Sequence, residues 1–285
     1  MTDERSPIVR RRELGGLLRT LRTEAGLTVE QVAGELLCSP SKVSRMETGQ
    51  RGASARDIRD LCNLYQVTDQ VQRDHLADLA REGRGAAWWQ PFGLPYATYV
   101  GLEAGAVSIR DFEPGVFPGL LQIPDYARTL HEAGLPRLAP EVIEQRIQER
   151  RHRQEILSRS DPPPPRLWAI IDEAVVRRVV GGPAVMAAQL AHVVAACEQP
   201  HITVQVMPFE AGAHPALDST FILVEFAGQV PGVVYVEGLA GQIYLERAQD
   251  VQRYTRVFER LAAAALSQQK SSHLMTKAQA AYEER

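Results

Sequence analysis

GLTVEQVAGELLCSPSKVSRMETGQ, Gly26 to Gln50, is the stretch on which the fold turns. Thr28 and Gln31 stand as N-cap and N3 of a helix, the spacing at which two side chains reciprocally satisfy free backbone N–H groups. Val32, Ala33, Leu36 and Leu37 make its core-facing side, and a tight turn is expected at Leu37-Cys38. Ser39 caps the next helix, with Pro40 in the first helical position, where a missing N–H costs nothing. Val43 and Met46 point inward and Gly49 stops the helix. The other side carries Ser41, Lys42, Ser44 and Arg45. A short helix that follows a tight turn, apolar on one side and small, polar and basic on the other, suits a DNA major groove. Arg45 matches the two acceptors of a guanine edge, and the N–H groups of the first turn, at Ser41 and Lys42, favour phosphate.

Upstream, Leu14, Leu17, Leu18 and Leu21 recur at helical spacing between Arg11 and Ala25, and Gly26 ends that helix. Downstream, Ser54 and Asp57 open a fourth helix with Ile58, Leu61 and Cys62 inside. A fifth, Gln70 to Glu82, is expected to bury Val71, Leu76 and Leu79. Residues 8–82 therefore read as an all-α helix-turn-helix domain. The 285-residue chain has a net charge of −3, but residues 8–60 hold ten Lys and Arg against seven Asp and Glu. That asymmetry points the N-terminal part towards nucleic acid.

Gly26 to Gln50 resembles the helix-turn-helix of phage-repressor-like (xenobiotic-response-element) regulators. The likeness lies in Leu27-Thr28, Gln31-Val32-Ala33, Ser39, Val43-Ser44-Arg45, Glu47 and Gly49, and it extends over roughly residues 10–70. It implies a DNA surface of Gln31, Ser39, Pro40, Ser41, Lys42, Ser44 and Arg45, with Pro40, Ser41 and Arg45 facing bases. Val29 takes a position often held by a phosphate-binding Gln, and it cannot make that bond. Leu37 takes the place of the family's turn glycine, so an ordinary residue must adopt the turn conformation at some strain. Arg22 and Glu47 match positions that form a structural ion pair.

Residues 83–98, within REGRGAAWWQPFGLPYATY, break the helical pattern with Gly83, Gly85, Pro91, Gly93 and Pro95. Trp88, Trp89, Phe92 and Tyr96 make this hinge too aromatic for a free linker, and it is expected to pack onto the C-terminal domain. Residues 99–266 read as a larger mixed α/β (α+β) domain. Strands are expected at Val107–Phe112, Leu167–Ile171, Ile202–Met207, Phe221–Phe226, Val233–Val236 and Gln242–Leu245. Helices are expected at Asp125–Ala133, Pro140–Arg159, Asp172–Val180, Val185–Glu198 and Glu246–Leu266. Residues 267–285 read as a polar tail, loose or helical.

The domain offers little chemistry. It has no Gly-rich phosphate loop or nucleophile elbow, and His192, His201 and His214 lack metal-ligand spacing. Asp172, Glu173 and Glu237 sit near strand ends but are equally ordinary turn and helix-start residues, so neither catalysis nor a cofactor is expected. The cluster Arg150-Arg151-His152-Arg153 reads first as a solvated helix face. Three cysteines at irregular spacing make neither a disulfide framework nor a zinc site. With no apolar leader at the N-terminus, a cytoplasmic protein is expected.

VSIRDFEPGVFPGLLQIPDYAR, LWAIIDEAVVRRVVGG and ITVQVMPFEAGAH resemble the C-terminal domain of a large actinobacterial regulator group, similar to WhiJ-type and antitoxin-like regulators. That resemblance implies a small cognate protein as partner. The expectation is a promoter-binding repressor acting as a homodimer on double-stranded DNA and gated by that partner. The alternative is gating by a small molecule in a pocket lined by Trp88, Trp89 and Phe92.

Overall fold

The computed structural model describes residues 6–135, 137–228 and 230–285. The chain divides into two compact units, one reaching to Gly105 and including Phe226–Val230, the other formed by Ala106–Glu225 and Pro231–Arg285.

The first unit is all-α: α1 Pro7–Glu24, α2 Val29–Glu35, α3 Pro40–Glu47, α4 Ala55–Leu64, α5 Gln70–Glu82 and α6 Ala97–Ala104. Leu14, Leu18, Val32, Ala33, Val43, Met46, Ile58, Leu61, Leu76 and Leu79 meet in one core. α1 starts earlier than the leucine spacing suggests, because Pro7 at its first position fixes a helical φ. Two expected core residues lie outside. Val71 is 76% exposed, about 140° round the helix from Leu76 at ~100° per residue. Leu37 is 94% exposed, because the chain reverses there at φ +50°. Its N–H and that of Cys38 close the end of α2 on the carbonyls of Gly34 and Ala33 at 3.1 and 2.9 Å.

Leu37 thus bears the strain of a left-handed residue, roughly 1–2 kcal/mol, with no burial in return. Leu37→Gly removes that strain but loosens the unfolded chain by roughly 0.5–1 kcal/mol. The expected outcome is a net gain of about 0.5 kcal/mol, seen as a higher urea midpoint at an unchanged slope. A lower midpoint would contradict this reading of the turn.

The aromatic stretch packs onto α6, whose residues 99–104 open the expected C-terminal domain but fall in the first compact unit. Ala87, Trp89, Leu94, Val100 and Ala104 form a separate small core with Ile8, Phe92 and Tyr96, inside the first unit. A Cβ on Gly101 would collide with Ile8 and Trp89, so this glycine permits the close approach of α6 to the start of α1. The hinge residues therefore close over the helix-turn-helix unit through Ile8, which belongs to no obvious apolar periodicity.

The second unit is built on one six-stranded sheet: β1 Ser108–Glu113, β2 Arg166–Asp172, β3 Ile202–Met207, β4 Phe221–Glu225, β5 Val233–Gly238 and β6 Gly241–Leu245. The order is β3-β2-β1-β4-β5-β6. β1, β2 and β3 are parallel, and β1-β4-β5-β6 pair antiparallel. Parallel neighbours need long crossovers. α7 Pro124–Ala133 and α8 Pro140–Gln154 supply the first, and α9 Glu173–Arg177 with α10 Pro183–Ala196 the second. The antiparallel half needs only loops, so of the mixed α/β and α+β readings the domain is α+β.

α11 Ala248–Ala264 lays Phe258 and Leu261 against Phe112, Phe221, Leu223 and Val234 of the sheet. The polar tail is a packed helix, α12 Gln268–Glu283, which buries Ser271, Met275, Ala278 and Tyr282. These recur at helical spacing, but two are small or polar, so the stripe is faint in sequence. The Tyr282 hydroxyl donates to the carbonyls of Val176 and Arg177 at 3.1 and 2.9 Å. Ser271 Oγ accepts from Val206 N at 2.9 Å, which covers an outer N–H of edge strand β3. No described helix is long and apolar enough to cross a membrane.

Candidate nucleic-acid interface

The geometry around α3 follows from capping chemistry. Thr28 Oγ1 accepts from Gln31 N at 3.2 Å, and Gln31 Oε1 accepts from Thr28 N at 2.8 Å. Gln31 is exposed, with its carbonyl held in the cap and its NH2 left for an outside acceptor. At α3, Ser39 Oγ accepts from Lys42 N at 3.2 Å, and Pro40 follows as the first helical residue. Val43 and Met46 lock the inner side into the core. Ser39, Pro40, Ser41, Ser44 and Arg45 are exposed. Arg45 uses its Nε on the Ser41 carbonyl, 3.3 Å away and one turn back, which lays the guanidinium along the outer face.

Lys42 is placed differently from these. It is half-buried, with Nζ 2.6 Å from Asp57 Oδ1. Asp57 Oδ2 also accepts from Ser54 N and Ser54 Oγ at 2.9 and 2.7 Å, so one carboxylate caps α4 and holds the lysine of α3. Burial alone would raise the Asp57 pKa, but Lys42 and the Ser54 donors outweigh it and bring it below the usual carboxylate value. Asp57 is recognisable in sequence as a cap, whereas its ion pair with Lys42 is a contact between helices that spacing does not reveal. The lysine charge is largely balanced within the domain, which leaves Arg45 as the exposed cation of α3.

Two features fix the far end of α3. Arg22 and Glu47 form a bidentate pair, Nε to Oε1 at 2.6 Å and Nη2 to Oε2 at 3.1 Å, while Nη1 donates to the Leu27 carbonyl at 2.8 Å. The two side chains are 14% and 7% exposed. The Glu47 carboxylate raises the pKa of the Arg22 guanidinium against the opposing effect of burial. The second feature is Gly15 in the middle of α1. A Cβ there would lie 2.6 Å from the carbonyl oxygens of both Met46 and Glu47, so the missing side chain lets α1 rest on the end of α3. Gly49, at φ +70°, likewise abuts the backbone of Arg12. A glycine inside a helix costs about 1 kcal/mol against alanine. Gly15 and Gly16 carry that cost alike, so the sequence does not say which of the two is the packing site.

The second unit holds the other polar residues singled out above. Asp172 Oδ1 caps α9 through Ala174 N at 2.7 Å. Glu173 bonds Arg177 and Phe209 N, and Glu237 is exposed on β5. His201 Nε2 lies 2.9 Å from the Leu157 carbonyl, and His214 Nδ1 accepts from Ala216 N at 3.3 Å. Among the described residues, no group of three or more His, Cys, Asp or Glu could hold a metal ion.

Residues 13–76 match a family model described as a helix-turn-helix domain, and residues 96–277 match one described as Domain of unknown function (DUF5753). Comparison with curated proteins and with solved structures finds no match.

Proposed function

Because the chain belongs to the family of that domain of unknown function and carries a helix-turn-helix ahead of it, we propose that it is a sequence-specific transcriptional regulator that represses from promoter DNA. The observation that carries the reading is α3, with one side locked in the core and Ser41, Ser44 and Arg45 exposed on the other. Arg45 is the base reader, since its guanidinium fits the two acceptors of a guanine. Ser41, Ser44 and Gln31 add hydrogen bonds, and the N-terminal turn of α3 at Ser39 and Pro40 approaches a phosphate. Lys42 supports the site by holding α4 against α3.

One such helix reads only a few base pairs, so binding is by a homodimer on a two-part site in the cytoplasm. The likeness to antitoxin-like regulators supports control by a small cognate protein at the second unit. Such control requires that the partner bind one DNA-binding state more tightly than the other. No catalytic role is assigned.

Arg45→Ala tests the assignment. The expected loss at the specific site is about 1–3 kcal/mol, roughly 5- to 150-fold in Kd, with little change on unrelated duplex at the same salt. An equal loss on both duplexes would make Arg45 a phosphate contact and remove the base-reading role.

A further inference from the structure

Gln249, Arg253, Arg256, Arg260 and Ala263 follow one another on α11 at intervals of four, three, four and three residues. That is the repeat of a helix–helix seam, and it draws a stripe about 21 Å long at 1.5 Å per residue. The opposite side of α11 is held by Phe258 and Leu261 in the core, so the stripe faces outward, and all five residues are exposed. A hollow of about 540 Å³ runs along it, and a second of about 320 Å³ shares Arg253 and Val257 with the first and reaches Pro215 and Phe221.

Several arginines of this unit are held by partners of their own. On α8, Arg153 lies 3.6 Å from Glu149 and Arg150 bonds Gln122. Arg110, Arg128 and Arg177 also have carboxylate partners. Among the described residues, Arg253, Arg256 and Arg260 have none. Like charges at three- and four-residue spacing work against a helix, and an anionic surface that meets Arg253, Arg256 and Arg260 relieves that repulsion.

We propose that this face of α11 docks an acidic amphipathic helix of a protein partner. Carboxylates at the same four-three spacing meet Arg253, Arg256 and Arg260 in register, and apolar residues beside them pack on Val257 and Ala263. A DNA backbone suits the face less well. Val257 and Ala263 line the hollow along the stripe, and a phosphate backbone offers no apolar groups to pack on them. The inference supplies a surface for the proposed protein control and rests on that reading only for its regulatory consequence.

The test is fluorescence anisotropy on the full chain with a synthetic helical peptide of about 20 residues, long enough to hold helix. Its Glu residues follow the four-three spacing with Leu beside them. Controls are a peptide of the same composition with the Glu positions scrambled, and an unrelated DNA duplex. The in-register peptide is expected to bind about tenfold tighter than the scrambled one. The triple variant Arg253→Glu, Arg256→Glu, Arg260→Glu, changed only at exposed positions, is expected to melt as the parent does and to lose the peptide. It should instead bind the peptide with Lys in place of Glu. Equal binding of both Glu peptides, binding of neither, or tighter binding of the duplex that is lost on reversal would overturn the proposal. Specific DNA binding is read separately, so docking without it sinks the regulator and spares the interface.

Discussion

Arg22→Ala is expected to lower the stability of the first unit by about 3 kcal/mol or more, near the range found when one partner of a buried ion pair is removed. The change takes the counter-charge from Glu47, which is 7% exposed in the pair, and strips the Leu27 carbonyl of the Arg22 donor. It also frees the end of α3 from α1, so the defect falls on the helix proposed to carry the DNA surface. At roughly 4–8 °C per kcal/mol for a domain of this size, the melting temperature should fall by about 12 °C or more. Arg22→Met with Glu47→Leu should recover most of the loss, because an apolar pair of similar volume needs no counter-charge. A single variant that melts within about 2 °C of the parent would show that the pair holds little of the fold together.

Two adjacent glycines should respond with opposite signs. Gly15→Ala places a methyl group 2.6 Å from two backbone carbonyl oxygens that cannot rotate away, so α1 and α3 must separate. The expected loss is about 2–3 kcal/mol, the upper part of the range for overpacking. Gly16 meets nothing within 4 Å. Gly16→Ala should therefore stabilise α1 by about 0.5–1 kcal/mol through helix propensity. Urea unfolding of both variants decides the matter, and a gain from Gly15→Ala would disprove the close approach.

These sites mark where sequence reading succeeds and where it stops. Capping, turns and apolar periodicity are local, so Thr28 with Gln31, Ser39 with Pro40, and the strand of Ile202–Met207 are all legible from neighbouring residues. Contacts between distant segments are not. The Lys42–Asp57 pair joins two helices, and the packing of Ile8 against Gly101 joins residues more than ninety apart in the chain. The order of the sheet is equally hidden, because the apolar pattern of a strand does not say which neighbour it pairs with. α12 was faint because Ser271 and Ala278 lie on its buried stripe. Leu37 and Val71 misled for the opposite reason. They are apolar residues at positions the core does not reach, where hydrophobicity alone says nothing of direction.

The central claim is that this chain reads DNA sequence through α3. It is tested most directly by selecting duplexes from a randomised pool with the full chain, then measuring the selected and an unrelated duplex at one salt concentration. The account predicts a recurring two-part site whose halves lie about one helical turn apart, bound roughly a thousandfold or more tightly than the unrelated duplex. A pool that yields no recurring site, with equal affinity for both duplexes, would contradict it.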